Sequence, residues 1–541
     1  MRASESAAHV RSAIAQLTLG SRLAARLPRL LRRRVTPVEA RATVQRRLAQ
    51  RESDFLDLAA RAIYAIPDSP YRELLRLAGC EYTDLQRLVR AEGLEGALQA
   101  LHAAGVFLTV DEFKGRRAAI RGGATMHVDP GWLRNPLVQG LVEGRTSGSR
   151  GTGTPVLIAL EFVRDCAADA LLALEARGGL AWRKAVWEAP GAGATFRLLK
   201  YSSFGAPAAA WFSSVELGAP GLHRRYRWGE RLLRWEARLL GVPLPRVRSA
   251  PLDDPLPVAR WLADTLLEGA VPHLFTLSSP AVRMCRAASD AGLDLRGARI
   301  VLGGEPVTAA RVRAVRATGA EPIPRYGSVE CGPIGYACMR PHAPDDVHVL
   351  SDLHAVIEAA SASRTPAGAL FVTSLRPTAP LILLNVSMGD RAELTQRPCG
   401  CPLEDLGWRT HLTRIRSFEK LTGEGITLLD TDVVRILEEV LPARFGGAPT
   451  HYQLVEEEAA GGTSRVRLLV DPAVGPLDPT AVADAFLDAL GWGAGGEWIM
   501  ARLWRDAGTL RVERREPIAT RSGKIHHLVA GAAEAGCSTR S

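Results

Sequence analysis

At 541 residues the chain is longer than one hydrophobic core usually supports, so two or three domains are expected. An apolar fraction of 47% and a charged fraction of 23% are those of an ordinary globular protein, and no apolar run approaches the roughly 18 residues of a membrane span. The net charge of +10 is not spread over the body: the first fifty residues hold eleven arginines against Glu5 and Glu39, a net of +9, which argues against a nucleic-acid partner.

In that basic segment Leu23, Leu27, Leu30 and Leu31 recur at helical spacing among the arginines. Such a helix can lie on an anionic membrane or dock a partner; the more ordinary reading is a solvated surface helix. The arginines interrupt every candidate apolar core of a secretory signal. Eight cysteines in so long a chain make no dense disulfide framework, which fits a reducing cytoplasm.

Residues 1–130 read as mostly helical. The stretches from Ser53 and from Thr83 each open on a capping residue and continue with apolar positions at helical period. Over residues 131–415 short apolar runs alternate with helical stretches. Arg299 to Gly304 reads as a buried strand ending in a glycine turn, Thr308 to Thr318 as a helix, and Ala369 to Leu375 and Leu381 to Val386 as further strands. This alternation predicts an α/β layered core. Residues 416–541 read as a smaller α+β unit, with helices near 431–441 and 479–490 and strands near 465–470 and 497–504.

Four motifs carry chemistry. Arg145-Thr-Ser-Gly-Ser-Arg-Gly-Thr-Gly-Thr-Pro155 is a loop of glycines and hydroxyls whose backbone N–H groups can approach phosphate, although no Gly-Lys-Ser/Thr closes it as in a Walker loop. A Ser/Gly/Thr-rich surface loop has the same composition. Val301-Leu-Gly-Gly-Glu-Pro306 ends a strand, and Pro324-Arg-Tyr-Gly-Ser-Val-Glu330 follows about twenty residues later. Ligands of open α/β sheets bind beyond such strand ends, where Tyr326 could stack on a base and Glu330 could hold magnesium. Ser387-Met-Gly-Asp390 sets a carboxylate where it could accept ribose hydroxyls, and Glu516-Pro-Ile-Ala-Thr-Arg-Ser-Gly-Lys-Ile525 presents one lysine after a small turn.

In order and spacing these four motifs resemble those of the adenylate-forming superfamily, which spans acyl-CoA ligases, peptide-synthetase adenylation domains and firefly luciferase. Within it the chain looks most like the phenylacetate-CoA ligase branch. The resemblance covers roughly residues 140–530, and Thr520-Arg-Ser-Gly-Lys-Ile525 is its most specific piece. It implies a large adenylate-forming core with a small mobile C-terminal lid, preceded here by the helical segment. It implies that Thr146, Ser147, Gly148, Ser149, Gly151 and Thr152 clamp the β- and γ-phosphates of ATP. Gly303, Gly304 and Glu305 would border the adenine, with Tyr326, Gly327 and Ser328 beside it. Glu330 would bind Mg2+, Asp390 the ribose, and Arg416 would sit at the domain junction. Lys524 would contact the α-phosphate and the attacking carboxylate. The chain departs from the pattern in three places: the loop ends Gly153-Thr-Pro without the usual lysine, the junction reads Ile415-Arg-Ser-Phe-Glu419, and Asn385-Val386 precede the Ser-Met-Gly-Asp motif.

Cys338, His348, Cys399 and Cys401 form a candidate metal set, since thiolates with one imidazole are the ligands of a closed structural zinc site. Isolated cysteines are commonly just buried, and His342 is the competing histidine. Some members of the resembled branch carry a zinc at this place. The expected activity is ATP-dependent formation of an acyl-AMP from a small-molecule acid, with transfer to coenzyme A. Transfer to a carrier-protein thiol or an amine, activation of an unusual acid, and a non-catalytic nucleotide-binding relative are the alternatives. The acid is expected to meet residues between Phe196 and Arg227, including Trp211, and Thr276 to Pro280.

Overall fold

A computed structural model describes residues 33–115, 117–138, 142–145, 155–188, 192–214, 238, 244–252, 254–328, 330–359, 367–417, 421–423, 426–428, 430–458, 464–490, 504–505, 510–520, 524–525 and 527–530. The basic leucine-bearing segment, the loop residues Thr146, Ser147, Gly148, Ser149, Gly151 and Thr152, residues 215–227 and the span 497–503 lie outside them.

Twelve strands form the main sheet: β1 (Arg183–Trp187), β2 (Ala210–Ser213), β3 (Val247–Ser249), β4 (Pro272–Leu277), β5 (Arg299–Gly303), β6 (Glu321–Ser328), β7 (Gly332–Ala337), β8 (Val347–Val349), β9 (His354–Glu358), β10 (Ala369–Ser374), β11 (Val386–Gln396) and β12 (Thr410–Ser417). Their spatial order is β9-β10-β11-β12-β8-β7-β6-β5-β4-β1-β2-β3. From β6 to β3 every pairing is parallel, and from β6 to β9 every pairing is antiparallel. The inner parallel strands β1, β2, β4 and β5 read as nearly continuous buried runs because helices cover both faces. Along β1, Ala185 and Trp187 enter one core cluster and Val186 another, as the two-residue side-chain period requires.

The first of those clusters includes residues of α5 (Leu256–Leu267), α6 (Ser278–Asp290) and α7 (Ala309–Arg316); the second includes α1 (Pro37–Ala49), α3 (Leu160–Glu175) and α4 (Ala192–Ser203). The antiparallel half is covered differently. Apolar residues of the helical region, including α2 (Tyr82–Ala103), share one core with Ile334, Val347, Phe371 and Val372. A separate four-stranded sheet follows, in the order β15-β14-β13-β16, from β13 (Tyr452–Glu458), β14 (Ser464–Val470), β15 (Leu510–Arg514) and β16 (Leu528–Ala530). It is packed by α8 (Asp430–Arg435) with its continuation to Phe445 and by α9 (Pro479–Leu490).

Several local expectations shift. Ser53 lies inside a helix that starts at Arg51, and Thr83 inside one that starts at Tyr82, where the Asp84 carboxylate accepts from Glu81 N at 3.0 Å. The apolar run from Leu381 is not strand until Val386. Asn385 has φ 49° and donates its amide to the carbonyls of Leu98 at 2.8 Å and Val106 at 3.1 Å, so the backbone turns to meet the helical region. Trp504, placed by sequence at a strand end, sits fully buried in a helical turn. Among the described residues no helix is long and apolar enough to cross a membrane.

Candidate active site

β5 ends in Gly303-Gly304, and Gly304 takes φ 73°, a left-handed conformation natural to glycine. A Cβ there would stand 2.7 Å from Leu277 Cδ2, 3.2 Å from Lys524 Cε and 3.4 Å from Lys524 Nζ. The side chain of Lys524 therefore packs directly over Gly304, although 220 positions of chain separate them. Bonds to the segment before it hold it: Ala519 bridges Ile525, Thr520 N donates to Lys524 O at 2.8 Å, and Lys524 N donates to Thr520 Oγ1 at 3.1 Å.

Glu305 does not stay with the glycines. Its carboxylate pairs with Arg311 at 3.0 Å, both side chains 1% exposed. Arg311 also meets Glu438 at 2.8 Å, and Glu438 accepts from Thr308 and lies 2.6 Å from His527 Nε2. Thr308 and Arg311 belong to the α7 region, whereas Glu438 and His527 belong to the C-terminal unit, so this buried group joins the two. Arg311 and His527 hold the Glu438 carboxyl down at about 2 against the opposing cost of burial.

On the neighbouring strand Tyr326 donates its hydroxyl to Asp390 Oδ2 at 2.9 Å, and burial followed by the Asp390 charge holds the phenol well above its ordinary range. The strand bulges between Tyr326 and Gly327. A Cβ at Gly327 would stand 2.4 Å from Gly332 O, so only glycine fits that crossing. Ser328 accepts from Cys331 N at 3.2 Å. Asp390 and its motif lie inside β11 rather than after a strand, opposite Ser417 of β12. Arg416, one residue earlier, pairs with Asp345 at 2.8 Å. Glu330 is buried and pairs with Lys114 at 3.4 Å, a residue of the helical region that sequence reasoning passed over. Gly303, Gly304 and Lys524 thus meet at the end of β5, and Tyr326, near the end of the adjacent β6, reaches Asp390 within β11, while Glu305 and Arg416 point into ion pairs of their own.

The four candidate metal ligands converge. One ligand atom from each of Cys338, His348, Cys399 and Cys401 lies within 4.8 Å of the others. His348 turns Nε2 toward the sulfurs, 3.2 Å from Cys401 and 3.6 Å from Cys399, while Nδ1 lies 2.6 Å from the Trp408 carbonyl. That carbonyl sets the tautomer that leaves Nε2 free to ligate. The competing His342 faces Arg397 instead. A second set, Cys338, Asp346 and His411, adjoins the first, with Asp346 bonded to His411 at 2.8 Å.

Of the residues expected around the acid, Phe196, Trp211 and Thr276 are buried, and Thr276 Oγ1 donates to the Trp187 carbonyl at 3.0 Å. Three cations stand there: Arg197 and Lys200 fall within the expected segment though not singled out, and Arg325, part of the Tyr326 motif, was not assigned to the acid. Arg197 and Lys200 share a face of α4 by their spacing, and Arg325 interrupts an apolar strand, which were the available signals.

No protein-family model and no curated protein sequence matches the chain. Solved structures do. A 2-hydroxyisobutyryl-CoA ligase in the postadenylation state, in complex with R3-HIB-AMP, is similar over 90% of this chain and 89% of its own, with TM-score 0.50 and 14% identity. The amide bond synthetase McbA from Marinactinospora thermotolerans matches over 93% and 98%, with TM-score 0.42 and 14% identity. The likeness is one of fold, and with the large α/β sheet and small C-terminal sheet described above, the chain has the fold of the adenylate-forming enzymes.

Proposed function

We propose that the protein activates a carboxylic acid as its acyl-AMP at the expense of ATP and passes the acyl group to coenzyme A. The observation that carries this reading is Lys524 packed over Gly304 at the carboxyl end of a parallel strand, where open α/β sheets take their ligands. A substrate carboxylate would attack the α-phosphorus and release pyrophosphate, so no protein nucleophile is needed. Positioning and charge neutralisation supply the rate. Lys524 would offset the charge that builds between carboxylate and α-phosphate. Asp390, fixed by Tyr326, would accept the ribose hydroxyls, and Gly303, Gly304, Gly327 and Ser328 would border the base. The loop from Thr146 to Thr152 would take the distal phosphates. Glu330 would hold magnesium once the cation displaces Lys114 from its carboxylate.

The division at residues 130 and 415, with residues 416–541 as a lid that moves, belongs to the same reading. So does the phenylacetate-CoA ligase-like branch. Cys338, His348, Cys399 and Cys401 would hold a structural zinc, since three sulfurs and one oriented imidazole complete a tetrahedral set with no open position. Exchange of labelled pyrophosphate into ATP, dependent on an added acid, tests the activity. A folded protein that binds ATP yet exchanges with no acid would refute it.

A further inference from the structure

The parallel strands run β3-β2-β1-β4-β5-β6, so their order reverses between β1 and β4. At such a switch point the connections leave in opposite directions and a crevice opens beyond the strand ends. Phe275 of β4, a strand of that switch, carries two cations, and a third lies near them. The Arg197 guanidinium lies over the Phe275 ring, 3.7 Å from its centroid. Arg325 approaches the same ring at 5.6 Å, and Lys200 Nζ stands 3.5 Å from the Tyr336 hydroxyl. Phe275 in turn touches the nucleotide corner, for a Cβ on Gly303 would lie 3.4 Å from its Cζ. Arg197 and Arg325 therefore share a ring that adjoins the glycine turn beneath Lys524, and Lys200 lies close enough to feel both their charges.

Their charge is not balanced. Glu188 stands 3.0 Å from Arg197 and is the one ion-pairing acid of the cluster among the described residues. Lys200 is 4% exposed and, among those residues, has no carboxylate within 4.0 Å; neither has Arg325. Asp169 of α3 attracts Lys200 only from farther off and is itself 3.9 Å from Arg47. The Nε atoms of Arg197 and Arg325 are buried without a hydrogen-bond partner. Burial, then Arg325 and Arg197, push the Lys200 ammonium well below its ordinary range. Cations left in this condition are costly unless a ligand completes them.

We propose that this cluster receives a second anionic group on the acid, so that the substrate is a dianion. One carboxylate would react at Lys524, and a further carboxylate, sulfonate or phosphonate would be held by Arg197, Lys200 and Arg325 beside Phe275. The proposal rests on the acid-activating reading above. It narrows that reading to a class of acid, since a single carboxylate would leave this excess of buried positive charge unanswered.

Matched acids test it on the full chain: each dianion is paired with the same acid whose second anionic group is a neutral amide. In pyrophosphate exchange the dianionic member should show a kcat/KM at least about 100-fold higher. Lys200→Met and Arg325→Met should each abolish most of that preference, chiefly through KM. The ligand-free Lys200→Met protein should melt no lower than wild type, because a buried amine without a carboxylate partner has been removed; a merely structural lysine would lower it. Calorimetric titration of the same diacids reads binding without turnover. Exchange with no acid at all would refute acid activation, whereas diacids that bind and lose affinity in Lys200→Met would still support the anion site. Equal exchange with neutral partners, or undiminished preference in both variants, would overturn the inference.

Discussion

Lys524 is the residue on which the proposed chemistry turns. Its ammonium is worth most in a dry closed site, where charge interactions are weakly screened. Lys524→Ala should slow pyrophosphate exchange by about two or more orders of magnitude. Transfer from a presynthesised acyl-AMP to coenzyme A should suffer much less if the lid withdraws the lysine after adenylation. Unchanged exchange, or equal loss in both assays, would remove Lys524 from its role. The candidate metal ligands give a second residue-scale expectation. Purified protein should carry about one zinc per chain, and Cys401→Ser should lose it and melt at lower temperature, because metal binding to a folded site adds to folding free energy. Elemental analysis without zinc would leave the four residues as ordinary core groups.

At the scale of elements, the proposed closure over Lys524 would depend on the junction between α7 and the helix that carries Glu438. Arg311 is buried between Glu305 and Glu438, and His527 lies only three positions beyond Lys524. Removing one partner of a buried ion pair costs about 3 kcal/mol or more, because the other charge stays behind. Glu438→Gln should therefore disfavour the closed arrangement and reduce exchange by about 100-fold, since each 1.4 kcal/mol is a factor of ten. The rate from presynthesised acyl-AMP should hold, and a variant that lost both equally would show general unfolding instead. These partners were not legible in sequence. Glu305 sits in a recognisable turn, yet nothing local says that its carboxylate faces Arg311 rather than a ligand. Strand β5 itself was legible, because a short apolar run before two glycines leaves little else to be.

For the whole molecule, acid should act first through buried neutral histidines. Burial, reinforced by the Lys184 charge, holds His273 at about 3, and burial holds His354 at about 4. Both lie below the unfolded value of about 6.5, so their contribution is full above that pH and is lost as pH falls. Each should cost about 2 kcal/mol by pH 5, at about 1.4 kcal/mol per unit. Glu438, depressed to about 2, contributes above its unfolded value of about 4.5 and loses that contribution only below it. Melting temperature should accordingly drop between pH 7 and pH 5; a flat profile would contradict the buried neutral state of His273 and His354.

By itself the sequence determined the alternation of strands and helices, the glycine turn at Gly303-Gly304, and the candidate standing of Tyr326, Asp390 and Lys524. These follow from local period and from residue types that have few other uses at such spacings. It also named four candidate metal ligands that converge in space, with His348 rather than His342 among them. Only the tertiary structure decided that Asp390 lies within a strand, that Glu305 and Arg416 turn into ion pairs, and that Lys114 reaches Glu330 from the helical region. Only it brought Arg197 and Arg325 to Phe275 and set Lys200 nearby against Tyr336. The reason is physical: period and propensity act over a few residues, whereas ion pairing and burial depend on which distant segments the sheet order brings into contact.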